Sequence, residues 1–238
     1  MGRACPVHIP LINLQATAGK EAKAMTQRVC IGIFLLFGAA YIGLLPVRPY
    51  PGSFLVKALP VLALAYLALS SVKGIRGRLL TAALVLSAGG DIALAVGEGV
   101  TYFMAGLVLF LFAHLVYTAL FAMDFHRQLS RLSIVILLVL YSTAMGCYLK
   151  PTLGPMTLPV FFYLAVITVM ASLAAFRSPP GYLVLAGALL FMASDSLLAV
   201  NRFRMPLPAA DLLVMATYYA AQFCIAWGFV SERPSSPP

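Results

Sequence analysis

Charge is what this chain has least of. Only seven of its 238 residues are acidic, charged residues of all kinds make up 10%, and hydrophobic residues make up 62%. A soluble domain carries about 25% charge, so a soluble fold is excluded. Histidine is scarce as well. His8, His114 and His126 lie far apart, with only His114 inside an apolar run, and no metal site is expected. Cys5, Cys30, Cys147 and Cys224 stand singly with no C-x-x-C pair, which leaves neither a zinc site nor a disulfide framework. G-x-S-x-G, a phosphate-binding glycine loop and a dinucleotide fingerprint are all missing. No cofactor is therefore expected, and any chemistry falls to carboxylates.

What the chain has instead is a series of apolar runs, each of about 17 to 22 residues. They occupy 29–45, 54–71, 79–96, 102–123, 132–149, 159–176, 182–200 and 211–230. Turn-rich links such as Pro46 to Gly52 and Ser178 to Gly181 separate them. The expected fold is all-α, a polytopic membrane protein of about eight transmembrane helices, with the transmembrane domain at 29–230. The basic stretch before the first run resembles a signal peptide, but no A-x-A cleavage site follows, so the first helix is expected to stay. Residues 1–28 are expected as a disordered cytoplasmic tail. Met25 directly precedes the first run, and residues 1–24 are read as such a tail or as an extension upstream of the true start. Residues 231–238 are expected as a second cytoplasmic tail.

The net charge of +9 raises the question of a nucleic-acid partner, but the basic residues sit between the apolar runs. There they set membrane orientation, and no nucleic acid is expected. With eight spans, both termini fall on one side. That side holds Arg3, Lys20, Lys23, Arg28, Lys73, Arg76, Arg78, Arg127, Arg131, Arg177 and Arg233, eleven in all; the opposite loops hold Arg48, Lys150, Arg202 and Arg204, four. The bias makes both termini cytoplasmic. A weak internal echo accompanies it. Setting Asp91 on Asp195 also sets Leu94 on Leu198, Ala95 on Ala199 and Val96 on Val200, and the same shift of 104 residues sets His114 on Tyr218. The echo is consistent with two parallel four-helix halves.

Asp91 and Asp195 are the residues an apolar chain should not contain. Each lies about 18–20 Å into its span at 1.5 Å per residue, just past the midplane. A carboxylate there must face the bundle interior or a wet cavity, and two at matched depth point to function. Gly89 and Gly90 leave room for another helix beside Asp91. Lys57 enters the second span from the same side as the aspartates, either reaching the interface or pairing with a carboxylate or phosphate. Pro60, a turn later, opens the local backbone. Asp211, Met215, Tyr218 and Gln222 share one face of the last span, with Tyr219 beside it. His114, with Tyr117 and Thr118 on its face, is expected as a satisfied structural residue. Asn201 and Arg202 close the seventh span.

With VKALP (Val56–Pro60), SAGGD (Ser87–Asp91), AHLVY (Ala113–Tyr117), SDSLLAVNRF (Ser194–Phe203) and ATYYAAQ (Ala216–Gln222), the chain resembles the lysoplasmalogenase family, called YhhN-type in bacteria. The resemblance covers spans two to eight. It implies an integral membrane hydrolase, here of the bacterial cytoplasmic membrane, that cleaves the vinyl ether of a lysophospholipid into a fatty aldehyde and a glycerophospho-alcohol. A vinyl ether resists base and yields to acid, by proton transfer to its β-carbon and an oxocarbenium ion. Such a site needs one carboxyl kept neutral, which low dielectric favours, and a second carboxylate to steady the cation and activate water. Glycosidases divide two carboxyls in the same way. Asp91 and Asp195 are the catalytic pair, with either one as the acid. Lys57 and Arg202 are candidates for the phosphate; Tyr218, Tyr219, Gln222, His114 and Asn201 are candidates for water or the glycerol hydroxyl. The expected partners are the lysophospholipid and membrane lipid. Two other readings fit the same residues: a proton-coupled transporter using both aspartates, and a lipid-binding protein without turnover.

Overall fold

A backbone surrounded by hydrocarbon has no water to bond, so each apolar run closes its own hydrogen bonds as a helix. The computed structural model describes residues 11–97, 99–178 and 181–232. Among them are eight α-helices: α1 (Leu11–Gly43), α2 (Ser53–Ser71), α3 (Gly74–Val96), α4 (Val100–Ala122), α5 (Leu132–Leu153), α6 (Thr157–Ala175), α7 (Tyr182–Phe203) and α8 (Ala210–Ser231). Seven stretches are long and apolar enough to cross a membrane, and one of these, Leu129–Ala175, has 47 residues. It folds back on itself. The chain reverses at Gly154, whose φ of 52° suits a residue without a side chain, and Ser142 Oγ on α5 lies 2.6 Å from Thr168 Oγ1 on α6. That hairpin makes two crossings of one stretch, in keeping with the eight apolar runs, and the chain is a multi-pass membrane protein.

The helices differ from the apolar runs at their ends. α1 begins at Leu11, well inside the expected tail; between Leu11 and Arg28 the sequence is mostly Leu, Ala, Gln, Lys, Glu and Met, good helix formers with Gly19 the one glycine and no proline. The first ten residues, and 233–238 of the second tail, lie outside the described residues. α7 runs on to Phe203, so Asn201 and Arg202 are helical. α5 runs through Pro151 to Leu153.

Neighbour relations repeat between the halves. α2 lies along α3 and α3 along α4; α6 meets α7 and α7 lies along α8; across the middle α2 touches α8 while α4 touches α6. α7 and α8 approach closely because position 187 is glycine: a Cβ there would stand 2.8 Å from the Ala221 carbonyl oxygen. Gly90 does the same for the Phe110 ring of α4, 2.6 Å from where its Cβ would be.

The end that holds the C-terminus of α8 is locked by charge. Asp124 is bonded by Arg76 and, at 2.8 Å, by Arg177; Arg177 also reaches Glu232 at 2.9 Å. Arg177 is wholly buried, its guanidinium 4.1 Å from the Phe229 ring centre. His126 N–H donates to the Phe176 carbonyl and Ser178 N–H to that of Asp124, both at 2.9 Å, so the α4–α5 and α6–α7 loops are zipped together. Arg177→Met should therefore destabilise the protein by about 3–5 kcal/mol, because buried Asp124 loses one of its two cations and half-buried Glu232 loses its partner. Thermal unfolding in detergent measures this, and an unchanged midpoint would make the cluster incidental.

Candidate active site

At the other end, the loops after α1 and α3 and the facing ends of α7 and α8 leave a cavity of about 440 Å³. It reaches from Arg48, Gly99, Arg202 and Asp211 at its mouth to Lys57, Asp91, Asp195 and Tyr218 inside. Asp91 comes from the last third of α3, five residues before its end at Val96, and Asp195 from α7, eight residues before its end at Phe203. Both face this one space.

The two carboxyls have unlike surroundings. Asp91 is 1% exposed, with Lys57 Nζ 3.4 Å from Oδ1 and the Tyr218 hydroxyl donating to Oδ2 at 2.6 Å. Lys57 is itself 8% exposed, so it pairs with the carboxylate rather than reaching the interface. Asp195 accepts the Tyr163 hydroxyl on Oδ2 at 2.6 Å, with His114 Nε2 3.7 Å from the same oxygen. Among the described residues neither lysine nor arginine pairs with Asp195, and its Oδ1 has no protein hydrogen-bond partner. The pairings echo the repeat. Each aspartate meets one group from α2 or α6, and one from α8 or α4, and the latter two are Tyr218 and His114.

Of the candidate site residues, Lys57, Asp91, Asp195, Asn201, Arg202 and Tyr218 line this one cavity. Tyr219, Gln222 and His114 do not. The Tyr219 hydroxyl donates to the Lys57 carbonyl at 2.8 Å, a turn before Pro60, and so holds the backbone of Lys57. Gln222 lies one turn deeper than Tyr218 and accepts the Tyr117 hydroxyl at 2.7 Å. His114 is closed off between the Tyr163 and Phe191 rings, centroids 5.2 and 4.6 Å away, with Nε2 3.7 Å from Asp195 Oδ2. These three back the lining rather than form it. Asn201 is partly committed too, its Oδ1 accepting the Leu207 N–H at 2.9 Å. Arg202 lies over the Phe103 ring at 5.1 Å.

Tyr163, Ser194 and Arg48 are the residues that sequence reasoning passed over. Tyr163 sits in an unbroken apolar run; the shift of 104 carries Lys57 to Phe161, so the repeat marks the correct helix and misses the residue by two. Arg48 lies 3.7 Å from Asp211 across the mouth, a pairing between the α1–α2 loop and the first turn of α8 that no local pattern announces. Among the described residues no group of three His, Cys, Asp or Glu side chains could hold a metal ion.

Residues 52–229 match the YhhN family model. The chain is 35% identical over 198 residues to a Bos taurus protein named lysoplasmalogenase TMEM86A, covering 76% of this chain and 79% of that one. It is 40% identical over 177 residues to Homo sapiens lysoplasmalogenase TMEM86B, 72% of each chain. A Mycobacterium bovis lysoplasmalogenase is 30% identical over 208 residues, 81% of this chain and 79% of its own. No solved structure matches the chain.

Proposed function

Since the chain belongs to the YhhN family, we propose that it hydrolyses the vinyl ether bond of lysoplasmalogens, releasing a fatty aldehyde and a glycerophospho-alcohol, with Asp195 as the acid and Asp91 as the base. The observation that carries this reading is the inequality of the two carboxyls in one cavity. Asp91 has a lysine 3.4 Å away and can remain charged. Asp195 is 17% exposed in its side chain and has no cation to offset a charge, so the neutral acid is the form its surroundings accept.

The steps then balance. Asp195 gives its proton to the β-carbon of the vinyl ether, and the oxygen lone pair forms the oxocarbenium ion. The Asp91 carboxylate stabilises that cation and takes a proton from water as the water adds. The resulting hemiacetal breaks its bond to the glyceryl oxygen. That oxygen takes the proton from Asp91, while the hemiacetal hydroxyl returns a proton to Asp195 and becomes the aldehyde. Both groups are reset. Lys57 keeps Asp91 ionised, Tyr218 and Tyr163 fix the two carboxyls, and Arg48 and Arg202 at the mouth suit a phosphate. Purified protein incubated with lysoplasmalogen should release free aldehyde; release no faster than without protein would dismiss the reading.

The reading sets both termini on the cytoplasmic side and the cavity mouth on the other, in a bacterial cell across the cytoplasmic membrane. Its support is the eleven-to-four basic bias. With the four native cysteines replaced, Gly99→Cys should react with an impermeant thiol reagent on intact cells, and Ser231→Cys only after permeabilisation. The opposite pattern, Ser231→Cys labelled on intact cells and Gly99→Cys only after permeabilisation, would reverse this topology, and labelling of both on intact cells would break it.

A further inference from the structure

Behind Asp195 lies a second, smaller space. It holds about 60 Å³ between α4, α5, α6 and α7, room for about four water-sized groups. Leu107, Met145, Leu149, Val160, Ile167 and Ala199 supply much of its wall. Apart from Tyr163, Asp195 and Ser196, every lining residue is apolar, and apolar cavities stay dry. Leu94, Phe103, Phe110, Asp195 and Leu198 line both spaces, so Asp195 stands at the junction between a charged, polar chamber and an apolar one.

The packing of the halves explains why the space is there. α2 and α3 lie close along their length, and so do α1 and α2. Their counterparts, α6 with α7 and α5 with α6, meet less extensively. The second half is looser on the side of Asp195 alone.

We propose that this chamber is the start of a channel for the alkenyl chain, and that residues of α5 and α6 set which chain lengths are accepted. The proposal rests on the vinyl ether reading. In that substrate the reacting double bond lies where the chain joins the glycerol. Headgroup and chain must then leave the acid in opposite directions. The chamber on one side of Asp195 offers Lys57, Arg48 and Arg202; the other offers Met145, Leu149, Val160 and Ile167. Four groups' worth of room holds only the first part of a long chain. The remainder passes between α5 and α7, whose contact is slight, into the surrounding lipid.

The test uses two synthetic vinyl ethers of glycerophosphoethanolamine, one with a butenyl and one with a hexadecenyl chain, on the purified full chain. Val160→Phe and Ala199→Phe narrow the chamber; Met145→Ala and Leu149→Ala widen it. Leu137→Phe on the lipid face of α5, 65% exposed, is the control. The narrowed variants should lose about tenfold or more in kcat/KM on the hexadecenyl probe and distinctly less on the butenyl probe, so that the preference between the two shifts toward the short chain. The widened variants should lose part of the preference between the two. The control should match the unaltered protein. An alkyl-ether lysolipid with a diazirine near the glycerol end of its chain should also label α5 and α6 peptides. If the unaltered protein releases aldehyde but neither the narrowed nor the widened variants change the chain-length preference, the channel is wrong while the vinyl ether reading survives. Labelling confined to α1–α3 would likewise overturn it. If the unaltered protein attacks neither probe, the reading beneath the proposal fails with it.

Discussion

Asp195→Asn and Asp91→Asn should each lose roughly 100-fold or more in turnover while the protein stays monodisperse in detergent. Asparagine preserves size and can still accept the Tyr163 or Tyr218 hydroxyl, so the loss would report the titratable carboxyl and not a broken fold. The two variants should differ in what remains. Without Asp195 the only acid left is hydronium, and the residual rate should rise about tenfold for each unit by which pH is lowered. Without Asp91 the acid is still present and water attack suffers, so the residual rate should not follow hydronium in that way. Lys57→Met should resemble Asp91→Asn, because an uncompensated Asp91 would take up a proton. Combining the two should cost little beyond either alone, as expected of residues that act as a unit. Identical pH profiles in the two aspartate variants would remove the division of roles, and near-normal turnover in both would return the aspartates to structure.

The helices were legible because hydrocarbon imposes a single rule on backbone groups, and a run of about twenty apolar residues has one way to meet it. Helix ends were less so. Nothing in Leu11–Arg28 is apolar enough to register as a span, yet its residues favour a helix and α1 simply continues through them. The aspartates were legible for a related reason: a carboxyl in an apolar run has no innocuous explanation, and Asp91 and Asp195 do share a cavity. Residues that act through a single hydroxyl were not. Tyr163 is a plausible lipid-facing or packing residue until α6 is laid against α7, when its hydroxyl turns out to bond Asp195. Tyr219 and Gln222 failed in the opposite sense. Helical periodicity sets a face to within a residue or so, and that uncertainty separates a group in the cavity from one that bonds the Lys57 carbonyl or Tyr117. Which aspartate has the lysine also lay beyond the sequence, since Lys57 on α2 could have met either helix.

A lysophospholipid whose vinyl ether has been reduced to an alkyl ether should bind and remain intact indefinitely. Its headgroup, glycerol hydroxyl and chain are unchanged, and only the β-carbon that accepts the proton has lost its basicity. It should therefore act as a competitive inhibitor. The ester-linked lysolipid should survive as well, because the two serines that flank Asp195 are both committed to backbone carbonyls: Ser194 donates to that of Val214 at 3.0 Å and Ser196 to that of Met192 at 2.7 Å. The vinyl ether itself should show where its proton came from. In deuterated water the aldehyde should carry one solvent deuteron on the carbon next to the carbonyl, provided it is trapped before that position exchanges. Proton transfer to carbon should also slow turnover in that solvent, by more than a step between oxygens would. Fatty acid released from the ester, or aldehyde formed without the deuteron, would show that the bond is broken by a nucleophile and not by an acid, and the assignment of Asp195 would fall with it.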